Sequence, residues 1–131
     1  MLVKCLRNKG LPEPAHGLYY TEHTVFEVTV GETYPVYGIS MFNRGLTLLL
    51  RDDTGKPNWQ PIELFEVVDG RLPDGWKFAT RDQGEAYTQA IFGYPRLVDD
   101  EGHEEALIER EPDAMRVFLD YVASAANDAP A

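Results

Sequence analysis

Cysteine is almost missing from this chain: Cys5 is the only one in 131 residues. A lone thiol excludes an intramolecular disulfide framework and any zinc site built on several cysteines. Bases are scarce too, with 12 Lys and Arg against 22 Asp and Glu, for a formal net charge of −10. That balance disfavours non-specific binding to nucleic acid or anionic membrane, both of which reward excess Lys and Arg. Long apolar runs are absent, none approaching the ~20 residues needed to span a bilayer. No apolar core follows a charged N-terminus, so no signal peptide is expected and the default location is the cytoplasm. There is no GxSxG elbow, P-loop or dinucleotide fingerprint, and an enzyme is not the expectation.

What is present suits a soluble globular chain of one domain, 44% apolar and 26% charged. A domain of this size buries about two-thirds of the surface its unfolded chain exposes, so no metal or disulfide is needed to hold it. Residues 2–6 alternate so that Val3 and Cys5 share a strand face, which makes Cys5 a buried structural thiol. Gly10, Pro12, Pro14 and Gly17 break the following stretch, Arg7 to Glu22, into a long loop. Val25 to Val30 reads as a strand or as an approach to the Gly31-Glu32 turn. Tyr34 to Met41 reads as a strand, with Pro35 tolerated near its start or on an edge.

Leu46 to Arg51 is the strongest strand, and its continuous apolar run predicts burial on both faces. Turns flank it at Asn43-Arg44-Gly45 and at Asp52-Asp53-Thr54-Gly55. Trp59 and Pro61 lead into a helical turn over Ile62 to Phe65. Glu66 to Val68 then adds a short strand, and Trp76 to Ala79 a closing one. About five short strands, one long loop and several tight turns predict a mainly β fold, an SH3-like small barrel over residues 1–80. Residues 81–131 are expected as a helical extension packed on it. There Gly84 precedes a short helix ended by Gly93-Tyr94-Pro95. Pro112 opens a second helix, packed through Met115, Phe118, Leu119 and Val122 and running to about Ala125.

Several pieces, in order, resemble a group of small bacterial and phage proteins with SH3-like barrels. They are Val3-Lys4-Cys5 with Asn8-Lys9-Gly10, then Val30-Gly31-Glu32-Thr33-Tyr34-Pro35-Val36, then Asp52-Asp53-Thr54-Gly55, and Trp59-Gln60-Pro61 with Phe65-Glu66-Val67-Val68. The resemblance covers roughly residues 2–68 and implies the fold. It brings no activity and no functional residues.

Residues 99–113 hold eight acids against Arg110 alone, most of the chain's excess. Asp99, Asp100, Glu101, Glu104 and Glu105 form a candidate docking face for a basic partner, speeding encounter by electrostatic steering. Glu111 and Asp113 have the simpler role of complementing the start of a helix. Asp99, Asp100, Glu101 and His103 lack calcium-loop spacing, while His16 and His23 lie too far away in sequence to complete a zinc site. Asp52 and Asp53 read as turn formers. Tyr19, Tyr20, Tyr34, Tyr37 and Trp59 come from loops and strand edges. They either line a recognition groove or fill a small core.

The expected function is therefore a non-enzymatic, cofactor-free interaction module that binds a basic protein or peptide. An immunity protein neutralising a basic toxin, or a phage inhibitor, would fit. Nucleic-acid binding is the alternative, needing a basic stripe from Lys4, Arg7, Lys9, Arg44 and Arg51. A structural homo-oligomer joined by barrel edges or terminal helices is another.

Overall fold

The computed structural model describes residues 1–12, 20–42, 45–81 and 88–128. Tyr19, His16, the Asn43-Arg44 turn and the Gly84 segment lie outside these residues. The chain is mainly β, with two antiparallel sheets followed by helices. Strand β1 (Leu2–Cys5) lies between β2 (Thr33–Pro35) and β6 (Phe65–Asp69) in a three-stranded sheet. The second sheet has the order β5-β4-β3-β8-β7. It comprises β3 (Gly38–Phe42), β4 (Gly45–Arg51), β5 (Pro57–Pro61), β7 (Lys77–Thr80) and β8 (Thr88–Gly93). A 3-10 turn, Ile62–Leu64, carries the chain from β5 to β6. Helices α1 (Pro95–Asp99), α2 (Glu101–Ile108) and α3 (Pro112–Asp128) close the molecule.

Burial of β4 on both faces organises the interior. Leu48 and Leu50 enter a first core with Val3, Cys5, Tyr34, Val36 and Leu64, enclosed by the two sheets. Leu49 points the other way, into a second core with Tyr37, Ile91, Tyr94, Leu97 and Phe118, between the sheet and the helices. An alternating strand could have served only one of them.

The expected single strand over Tyr34 to Met41 is two strands in different sheets. Val36 donates its N–H to the Met1 carbonyl at 3.0 Å, and Tyr37 donates to the Leu49 carbonyl at 2.8 Å. Their side chains enter different cores, so the chain changes sheets between them. Val25 to Val30 forms no strand; it delivers buried Val28 to the turn at Gly31, whose φ of 90° needs glycine.

The short helix expected before Gly93 is replaced by β8, which pairs with both β3 and β7. Its register sets Gly93 opposite Gly38. A Cβ on Gly93 would lie 2.9 Å from both the Tyr37 carbonyl oxygen and Leu97 Cδ2. This bare patch of backbone lets α1 settle Leu97, wholly buried, directly on the sheet. The expected packing face of α3 is also corrected in part. Phe118 is fully buried, but Leu119 is 38% exposed, and Ala114 and Tyr121 turn inward instead. No helix among the described residues is long and apolar enough to cross a membrane.

Candidate functional site

Helix α2 is held in one orientation by buried polar contacts. Its N-cap is Asp100, whose carboxylate accepts from the His103 N–H at 3.2 Å. That cap and the Arg96 ion pair hold the Asp100 carboxyl below its usual pKa. On the inner face, the Tyr94 hydroxyl lies 2.7 Å from His103 Nε2, and Tyr94 stacks on Tyr121 with ring centres 4.5 Å apart. Trp76 Nε1 donates to the Tyr121 hydroxyl at 3.0 Å, tying the β7 end of the sheet to α3. Beside them, Arg81 donates to Glu104 Oε1 at 3.0 Å and to the Val98 carbonyl, also at 3.0 Å. Burial pushes the Glu104 carboxyl above its usual pKa, with Arg81 opposing that shift.

This clamp turns His103 and Leu107 inward. Glu101, Glu105 and Ile108, spaced i, i+4 and i+7, therefore share the outer face, and all three are exposed. Ile108 keeps 61% of its surface in solvent, unusual for so apolar a side chain flanked by carboxylates.

The helix ends in a Schellman turn. Glu111 donates its N–H to the Ala106 carbonyl at 2.9 Å, and Arg110 donates to the Leu107 carbonyl at 3.1 Å. Glycine usually takes the left-handed position of such a turn; here it is Arg110, at φ 56°. Among the described residues it alone, apart from glycine, has a positive φ. The strain lies at a surface groove of about 270 Å³ lined by Leu49, Pro57, Trp59, Leu107, Ile108 and Arg110. Asn58 joins that lining. Trp59 stands opposite Leu49 on edge strand β5, and its ring packs close to Gly38, where a Cβ would lie 3.3 Å from Trp59 and only 2.6 Å from Leu97 Cδ2.

The candidate aromatics are divided between two cores instead of lining one groove. Tyr37 is buried, its ring edge-on to Phe118 at 5.5 Å and to Tyr121 at 6.0 Å. Tyr34 is buried in the first core and donates its hydroxyl to Asp53 at 2.6 Å. Tyr20 packs edge-on against Phe26 at 5.4 Å beside that first core. Trp59 alone among those described borders the groove. The acids are divided too. Asp99 pairs with Lys77 at 2.7 Å, Asp100 caps α2 and Glu104 is held by Arg81, which leaves Glu101 and Glu105 facing solvent. Cys5 is buried, and burial pushes its thiol pKa up, which favours the unreactive form.

No family model, curated protein or solved structure matches this chain. The chemistry of the site rests on its own geometry.

Proposed function

We propose that this protein is an acidic interaction module built on an SH3-like barrel, docking a basic segment that carries one apolar anchor. The barrel assignment is supported by topology: β1 pairs with both β2 and β6, and a 3-10 turn joins β5 to β6. The docking reading is carried by the outer face of α2, where exposed Ile108 stands in line with Glu101 and Glu105 and borders the Trp59 groove. An apolar partner side chain fills the groove against Trp59, Leu107 and Ile108. Arg110 on the groove lining repels a cation there, so the partner's bases lie outside it, along Glu101 and Glu105. The strained Arg110 supports the same site, since residues held in sparsely populated conformations gather at ligand clamps.

Three labelled peptides test this by fluorescence anisotropy: a basic one with a single leucine, the same peptide with glycine there, and an acidic one. The leucine peptide binds best, and its affinity falls steeply as salt rises. Glu101→Gln with Glu105→Gln weakens it about three- to tenfold, since exposed charges contribute up to about 1 kcal/mol each. Ile108→Ala abolishes the preference for leucine over glycine. Equal binding of basic and acidic peptides would refute the proposal.

A further inference from the structure

We propose that two copies of this chain associate through β7, joining their five-stranded sheets into one continuous sheet across a two-fold axis. Among the described residues the two sheets leave four edge strands, β2, β6, β5 and β7. Exposed edges are templates for pairing with another chain unless they are blocked.

Proline blocks two of them. Asp52 donates its N–H to the Lys56 carbonyl at 3.1 Å, which makes this a hydrogen-bonded pair. Alternation along the register then points the main-chain groups of residues 57, 59 and 61 out of the sheet. Two of those three, Pro57 and Pro61, have no N–H to offer. In β2 the bonds from Val36 to Met1 and from Cys5 to Glu32 likewise leave the Pro35 nitrogen on the outer side. The third edge, β6, carries Glu66 and Asp69, so self-pairing would oppose acids in molecules whose net charge is already −10.

Strand β7 has neither defence. Arg81 donates its N–H to the Gln89 carbonyl at 2.9 Å, so residues 77, 79 and 81 bond inward. Phe78 and Thr80 therefore turn their N–H and C=O groups outward. The stretch Trp76 to Arg81 contains no acid and no proline. Its bases are already neutralised, Lys77 by Asp99 and Arg81 by Glu104. It offers two acidic molecules an approach with no acid facing an acid, and the bases that do face each other there are already ion-paired within their own chains.

Phe78 is 62% exposed and stands 5.7 Å from Phe92, which in turn lies 5.5 Å from Trp76. Antiparallel pairing about Ala79 sets Phe78 against Thr80 of the partner subunit. The two residues exchange both hydrogen bonds and make an aromatic to β-branched contact on one face. A two-fold axis makes the edge its own complement. Strand pairing alone buries little area, so the dimer is weak and concentration-dependent.

Sedimentation equilibrium of the full chain over rising concentration tests this. The apparent mass should climb toward twice that of one chain, and more readily in high salt, which screens the repulsion between copies. That response is opposite in sign to the one expected for basic-peptide binding, so the two proposals fail independently. Thr80→Pro removes an outward N–H and no bond within the sheet. It and Phe78→Lys should each return the protein to a monomer with an unchanged circular dichroism spectrum. Val67→Lys on β6 should leave the dimer intact. A single-chain mass at every concentration overturns self-association and leaves β7 to a strand from another protein. A dimer that survives Thr80→Pro, or is lost in Val67→Lys, places the contact elsewhere and overturns it as well.

Discussion

His103 enters the second core uncharged, and its surroundings explain why. Burial lowers its pKa below the usual value, the Arg96 charge adds to that effect, and Asp100 opposes it. The Tyr94 hydroxyl and His103 Nε2, 2.7 Å apart, satisfy each other inside that core. The unfolded chain takes up a proton near the ordinary histidine value of about 6.5, before the folded chain does. His103 therefore contributes stability that is complete above that pH and is lost as pH falls toward the folded value. Glu104 acts oppositely, because its raised pKa makes the folded state bind the proton more tightly. The difference in urea-unfolding free energy between wild type and His103→Gln isolates the histidine. It should be flat above pH 7 and shrink as the solution is acidified below about 6.5. Tyr94→Phe leaves the buried Nε2 without its partner and should destabilise by about 1–3 kcal/mol at neutral pH.

At the scale of elements, local patterns were legible where one face or one turn decided the outcome. The doubly buried Leu46 to Arg51 run, the Asp52 to Gly55 turn and the helix opened by Pro112 all appear as expected. Strand β5 was hidden because two prolines in five residues argue against a strand. They are tolerated only because β5 lies on an edge with those nitrogens outward, a fact of topology that local sequence does not carry. Strand β8 was hidden by Gly93, which suggests a helix end. Its reason for being glycine is the close approach of the Tyr37 carbonyl, far away in sequence, and of Leu97 from the helix that follows. Trp59 could be singled out from the sequence, but Ile108 could not. The acids around it drew the reading toward charge, and the i, i+4, i+7 stripe has meaning only once α2 is known to be a helix. The α2 end yields its own prediction. Arg110→Gly relieves the left-handed strain and should stabilise the fold by about 1 kcal/mol. Thermal melting checks this, with an expected rise of about 3–5 °C. If docking depends on Arg110 keeping cations out of the groove, the same variant should bind the leucine peptide less selectively against one carrying lysine there.

At the scale of the whole molecule, an excess of ten acids places folding and association under the same long-range field. Salt acts on two terms of opposite sign. It weakens the exposed pairs Lys77–Asp99, Arg96–Asp100 and Arg71–Asp69, which solvent already screens heavily. It also screens the mutual repulsion of every unpaired carboxylate, including Glu101 and Glu105, and that term runs over the whole surface. Among the described residues, the one strongly buried pair, Arg81–Glu104, with side chains only 8% and 12% exposed, is nearly insensitive to added ions. Repulsion should win because, among the described residues, the exposed ion pairs that screening can weaken are few beside the chain's 22 acids, and individually weak. The melting temperature should therefore rise by about 3–5 °C between low and moderate salt. The scan belongs at low protein concentration, where the chain is monomeric and association through β7 adds nothing. A melting temperature that falls with salt would mean that the exposed pairs dominate. The acids of residues 99–113 would then serve chiefly to fasten the helices, and little unbalanced charge would remain to attract a basic partner.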